Sequence, residues 1–109
     1  MKSVVAIVQS DDAGSLTDAL REKDFQSTLI SSTGGFLREG NATILIGVED
    51  AQVDAVLKVI RDNCKTRTQF VNPMPPVMEP GELYMPQPVE VQVGGAVVFV
   101  VDVERFERF

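Results

Sequence analysis

Residues 42–64 read ATILIGVEDAQVDAVLKVIRDNC and hold the strongest structural pattern of the chain. The first part, 42–48, is a β-branched apolar run, which predicts a buried strand. From Glu49-Asp50 onward, apolar side chains recur with the helical spacing i, i+3, i+4, i+7 and i+11. We therefore expect a strand followed by an amphipathic helix. The apolar stripe of this helix consists of Val53, Val56, Leu57, Ile60 and Cys64.

A second strand and helix precede this unit. Residues 4–8, VVAIV, predict a strand that is buried on both faces. Asp11-Asp12 predicts a helix start, because acidic side chains favour the positive end of the helix dipole. That helix is expected to end near Lys23-Asp24, and residues 25–31 predict another strand. Since a polar loop joins 25–31 to 42–48, the two strands favour an antiparallel pair. The inner stripe of the first helix is Ala13, Leu16, Ala19 and Leu20.

The C-terminal third combines a proline-rich connection with two more strands. All six prolines fall within residues 73–88, which excludes a helix or a central strand there. Residues 89–93 alternate between apolar and polar side chains, and an apolar run follows at 96–101. Gly94-Gly95 lies between the two runs and predicts a two-residue hairpin.

This order of elements predicts an α+β fold in a single domain spanning residues 1–109. It matches a ferredoxin-like β-α-β-β-α-β sandwich with an added C-terminal β-hairpin. Both helices should cover one face of an antiparallel sheet. The other face would expose Val, Ile and Leu side chains in a monomer, so we expect oligomerisation to cover it.

Composition excludes several functional classes. The 109 residues carry a net charge of −6 and include no His and one Cys. We therefore expect no His-dependent catalytic residues, no imidazole or thiolate metal site, and no enzyme activity. Clustered Lys and Arg for a nucleic acid polymer are lacking, and the longest apolar run is far too short to span a membrane. A lone Cys fits a cytoplasmic location.

The loop at residues 33–41, TGGFLREGN, is the strongest candidate for binding chemistry. Gly34-Gly35 can present consecutive backbone N–H groups to an anion. Phe36, Arg38 and Asn41 add an aromatic face, a cation and an amide, which together suit a nucleotide. The alternative is a glycine-rich hairpin loop whose Phe36 packs into the core.

Three stretches give the chain a family resemblance: TGGFLREGN at 33–41 with Gly47-Val48 after it, PVEVQVGGAVVFV at 88–100, and AIVQ at 6–9. Together they resemble the PII-like cyclic di-AMP receptor proteins of Gram-positive bacteria. The resemblance implies a PII-like homotrimer of ferredoxin-like subunits with ligand sites in the clefts between subunits. It further implies signal transduction without a catalytic activity or a cofactor. Ligand binding would change loop conformation and so regulate a partner protein.

The resemblance also assigns ligand contacts. By the family pattern, Asn41 and the Gly47 backbone bind an adenine edge, and Phe36 stacks on an adenine. Thr28 approaches the phosphates together with the backbone at 35–37. The complete set of family contacts falls on Thr28, Gly35, Phe36, Leu37, Asn41 and Gly47.

Three positions depart from the family, which often has Asn, Arg and Gln where this chain has Asp24, Gln26 and Arg108. Gln26 lacks the charge with which the family's Arg contacts phosphate, and Asp24 adds an opposing charge. We hypothesise that Arg108 restores the cation, so Gln26 and Arg108 join the candidate ligand-binding residues. Two alternatives remain: a PII-like protein that binds ATP or ADP, and a protein-interaction module without a ligand.

Overall fold

A four-stranded antiparallel sheet forms the centre of the protein, seen here in a computed structural model that describes residues 1–32, 40–71 and 89–109. From one edge to the other, the strands are β2 at 27–32, β3 at 41–48, β1 at 2–9 and β6 at 96–102. Because β1 and β2 are each antiparallel to β3, they run parallel with β3 between them. This is the split β-α-β arrangement, and it is compatible with a ferredoxin-like fold. The four strands are β1 (Lys2–Gln9), β2 (Ser27–Ser32), β3 (Asn41–Val48) and β6 (Ala96–Asp102).

Two helices, α1 (Ser10–Glu22) and α2 (Val53–Asn63), pack on one face of the sheet. A short 3-10 turn, Asp50–Gln52, precedes α2. Both predicted helix stripes are confirmed, since every member is buried or packed against the core. None of the helices in the described residues is long and apolar enough to cross a membrane. The largest fully buried side chains are Leu16, Leu20, Ile44, Ile46, Val4, Val8 and Val56.

The face of the sheet away from the helices is apolar and open. Alternate residues of β1 and β3 are buried, whereas the residues between them are only half-buried. The prediction that 4–8 is buried on both faces is therefore wrong for the single chain. Residues opposite each other in antiparallel strands share a face, so the pairing of Val5 with Phe99 and of Ile30 with Thr43 defines this outer face. Ile30 and Phe99 are both nearly half exposed.

The predicted C-terminal hairpin is wrong. β5 (Val89–Val93) pairs with β4 (Arg67–Val71) in a separate two-stranded sheet, while β6 pairs with β1. Gly94 and Gly95 have φ values of +83° and +87°, which glycine adopts easily. Gly95 N–H donates to the Cys64 carbonyl at 2.6 Å, so the glycines dock on the end of α2 and lead the chain from one sheet to the other.

The predicted places of Asp12, in the first turn of α1, and of Cys64, on the stripe of α2, are both confirmed. Asp12 is buried and accepts two hydrogen bonds from Arg67, at 2.9 and 3.3 Å, so this carboxylate ties α1 to β4. The hydrogen bond with Asp12 raises the pKa of Arg67. Cys64 is buried, as its place on the helix stripe predicts. Burial, reinforced by the Asp12 charge, raises the pKa of the Cys64 thiol to about 11, so the thiol stays protonated at neutral pH.

Gly14→Ala is expected to stabilise the protein. Gly14 lies in α1, is exposed, and has nothing within 4 Å of the position that a Cβ would occupy. Alanine should therefore raise the free energy of unfolding by about 0.5–1 kcal/mol, because glycine loses more backbone entropy in a helix. Urea unfolding measures this change, which should appear as a higher midpoint concentration with an unchanged m-value. A variant no more stable than wild type would contradict it.

Candidate functional site

An open cleft of about 840 Å³ lies at the end of the sheet where β1 and β2 begin and β3 ends. We call this the cleft end of the subunit. Its walls come from the last turns of α1, the start of β2, the end of β3 and the C-terminal tail. Three predicted ligand-binding residues, Gln26, Thr28 and Gly47, line it together.

The end of α1 fixes the wall that carries Gln26 and Thr28. Asp24 adopts a left-handed conformation with φ +61°. Its N–H donates to the Arg21 carbonyl at 3.0 Å, and the next N–H, of Phe25, donates to Leu20 at 2.9 Å. These two hydrogen bonds form a Schellman motif, with Phe25 packed against the core as that motif favours. Asp24 itself lines the cleft, so its carboxylate lies beside the predicted ligand contacts.

Gly47 lines the part of the cleft wall that the end of β3 forms. It lies in β3 opposite Ser3 of β1 and is exposed. A Cβ at this position would lie 3.4 Å from the Met1 methyl group, which is ordinary van der Waals contact. The Gly47 backbone is therefore exposed on the cleft wall beside the Met1 side chain.

Asn41 lies at the other end of β3. It is 3% exposed and pairs with Gln9 of β1 and Ser32 of β2. Gly47 lies six residue steps beyond Asn41 along β3, and at about 3.3 Å a step this is roughly 20 Å. The structure therefore does not bring Asn41 together with Thr28 and Gly47 within one chain.

Other predicted contacts are placed differently. Gly35, Phe36 and Leu37 lie outside the described residues, as do Arg38 and the proline-rich connection at 72–88. Arg108 is exposed in the C-terminal tail and is not among the residues that line the cleft. Phe106, two residues before Arg108 in the chain, does line the cleft.

Arg21 and Phe106 are among the cleft residues that sequence reasoning missed. Arg21, in the last turn of α1, lines the cleft with an 81% exposed side chain. Phe106 lines it from the tail and is 63% exposed. The predicted end of α1 near Lys23-Asp24, directly before the strand with Thr28, is the signal that could have indicated Arg21. No signal in the sequence places the tail beside β3.

Several hydrogen bonds lie next to Asn41, at the place where β1 ends and α1 begins. We call this the loop end. The Ser10 N–H donates to the Gly40 carbonyl at 2.7 Å, and the Ser10 hydroxyl donates to the same oxygen. The adjacent Gln9 side chain accepts a hydrogen bond from the Gly94 N–H. Two consecutive residues therefore hold both the residue before Asn41 and the junction between β5 and β6.

No group of three or more Asp, Glu or Cys side chains in residues 1–32, 40–71 and 89–109 is arranged to hold a metal ion. The arrangement at the cleft end instead offers a hydroxyl, an open backbone segment, an aromatic ring and a guanidinium. These groups suit an organic anion with a flat ring system.

The fold and the cleft define a small α+β protein with a site large enough for a nucleotide. A family model described as cyclic-di-AMP receptor matches residues 1–109, and the chain belongs to that family. The chain is also similar to a protein of Pediococcus pentosaceus whose solved structure is described as that of a functionally unknown protein. The two are 42% identical, the match covers 99% of this chain and 96% of the other, and the TM-score is 0.76. The family resemblance seen in the sequence is thus confirmed.

Proposed function

We propose that the protein is a non-enzymatic cytoplasmic receptor that binds cyclic di-AMP in clefts between the subunits of a PII-like homotrimer. The observation that carries this proposal is that Gln26, Thr28 and Gly47 line one cleft in a chain of the cyclic-di-AMP receptor family. A volume of about 840 Å³ lies within the range of small-molecule sites. In this cleft the Thr28 hydroxyl donates to phosphate and the open Gly47 backbone binds an adenine edge.

The separation of Asn41 from Gly47 supports a site shared by two subunits. If both residues contact one ligand, the loop end of one subunit meets the cleft end of its neighbour. Such a contact joins two different surfaces and closes into a ring, for which three subunits and three sites are proposed. The open apolar outer face with Ile30 and Phe99 supports burial in such an assembly. Sedimentation should give three times the mass of one chain.

The hydrogen bonds at the loop end support signalling through the loops. Gly40 lies near the end of the predicted ligand loop at 33–41, and Gly94 directly follows β5. Since Gln9 and Ser10 hold these two glycines, a ligand that moves Gly40 also acts on the junction of β5. A loop change that regulates a downstream protein would follow this connection.

Asp24→Asn is expected to increase the affinity for cyclic di-AMP several-fold. The change removes a negative charge from a cleft that takes a ligand with two phosphodiester charges. Asn tolerates the left-handed conformation that the Schellman motif requires, so the wall should keep its shape. Calorimetric titration checks the affinity, and thermal unfolding checks the fold. An unchanged or lower affinity would contradict the placement of phosphate beside Asp24.

The composition of the cleft also supports a second candidate ligand. Asp24 and Gln26 line it where the family often has Asn and Arg, so ATP or ADP stays an alternative. Arg108 remains a proposed compensating cation, because it lies only two residues beyond Phe106.

A thermal-shift comparison of cyclic di-AMP, ATP and ADP tests the proposal. A ligand at a hundred times its Kd stabilises by about 2.7 kcal/mol, which raises Tm by several degrees in a domain of this size. We expect this shift with cyclic di-AMP. A shift with ATP or ADP alone would favour the second candidate. No shift with any of the three would favour a protein-interaction module.

A further inference from the structure

We propose that Arg21 binds a phosphate group of the ligand and supplies the charge that Gln26 lacks. This inference rests on the proposed function and adds a contact that the family pattern does not assign. Arg21 lies in the last turn of α1 and lines the same cleft as Gln26 and Thr28. Of the described residues that line the cleft, it is the only one with a cationic side chain, and the N-terminal ammonium of Met1, which also lines the cleft, is paired with Asp50 at 3.2 Å.

The guanidinium of Arg21 is free to turn toward a ligand. Its side chain is 81% exposed, and its ion-pair partner is Asp18, one turn earlier on the helix, at 3.7 Å. Exposed pairs of this kind contribute little stability, so exchanging Asp18 for a phosphate costs little. A guanidinium can donate two parallel hydrogen bonds to phosphate, which makes it a stronger anion partner than a neutral amide.

The charges of the cleft explain why this cation matters. Thr28 and Gly47 offer neutral donors, and Asp24 contributes a negative charge to the wall. The Asp24 N–H donates to the Arg21 carbonyl at 3.0 Å, so the two residues are held next to each other by the same helix end. Both side chains belong to residues that line the cleft, so in this proposal the Arg21 cation, turned from Asp18 toward the ligand, offsets the Asp24 charge for a phosphate that approaches Thr28.

Calorimetric titration of cyclic di-AMP into the full-length protein tests the inference. We expect Arg21→Gln to raise Kd about 10- to 100-fold, because one charge-assisted phosphate contact is lost. The matched control is Lys23→Gln, which removes the same charge from an exposed neighbour that does not line the cleft. This control should bind within about twofold of wild type, since an exposed charge outside the site is screened.

Repeating both titrations at several salt concentrations separates a direct contact from a general charge effect. Affinity should fall less steeply with salt in Arg21→Gln than in wild type or Lys23→Gln, because one phosphate contact is missing. If wild type binds and Arg21→Gln behaves like Lys23→Gln, the inference is overturned and the proposed function stands. If wild type does not bind cyclic di-AMP, both are overturned.

Discussion

Asn41→Ala should reduce the affinity for cyclic di-AMP by about 10- to 150-fold. An Asn amide that makes two hydrogen bonds to an adenine edge contributes about 1–3 kcal/mol. Alanine also leaves the polar edge of the base without partners, which adds to the loss. Asn41 is buried at the start of β3, where pairing with β1 and β2 fixes its backbone. Calorimetric titration measures the change.

A control separates binding from folding. Asn63→Ala removes another amide, one that donates to the Val59 carbonyl at 2.8 Å at the end of α2. This variant should bind as wild type does, and both variants should sediment like the wild-type protein. Asn41→Ala with wild-type affinity would contradict the assignment of this residue to the site.

Mixing two inactive variants tests whether the site is shared between subunits. Asn41→Ala damages only the loop end, and Gly47→Val fills only the cleft end, where a β-branched side chain suits the strand. In any mixed ring of three, one site combines an intact loop end with an intact cleft end. Co-refolded mixtures should therefore regain binding, at about a quarter of the sites for an equal random mixture. If both residues served a site within one chain, mixing would restore nothing.

Gly94→Ala is expected to lower the free energy of unfolding by about 2–5 kcal/mol. A Cβ here would overlap the Lys65 carbonyl oxygen and lie 2.6 Å from a guanidinium nitrogen of Arg67. Alanine is also strained at φ +83°. The estimate adds about 1–2 kcal/mol of backbone strain to about 1–3 kcal/mol of overpacking. The ion pair of Arg67 with Asp12 joins β4 to α1. The substitution should therefore also weaken the two-stranded sheet at the end where β4 begins.

Urea unfolding of Gly94→Ala alongside Gly14→Ala provides the comparison. The two variants make the same chemical change, one against a crowded backbone at positive φ and one in open space on a helix. Their free energies of unfolding should change in opposite directions. Equal stability of Gly94→Ala and wild type would contradict the described crossing between the two sheets.

The sequence predicts well what depends on periodicity. The stripes of α1 and α2 are visible because each helix covers a single core. The hairpin at Gly94-Gly95 failed because a glycine pair indicates a change of direction and does not say which strand becomes the partner. β4 escaped detection because its five residues, RTQFV, form no alternating apolar pattern and are paired only by β5.

The candidate site could be predicted only in part. Family resemblance assigned Thr28 and Gly47, and the fold places both on one cleft. Their distance from Asn41 follows from the extended rise of β3, whereas the pairing of β2 with β3 brings Thr28 close to Gly47. Arg21 was missed because its helix position alone does not show that the end of α1 opens on this cleft.

Calorimetric titration of the wild-type protein with cyclic di-AMP, repeated in the presence of excess ATP, tests the central claim most directly. We predict saturable binding of one cyclic di-AMP per subunit, three per trimer, that ATP does not displace. Tight binding of ATP with no heat from cyclic di-AMP would contradict the claim, and so would the absence of binding by either nucleotide.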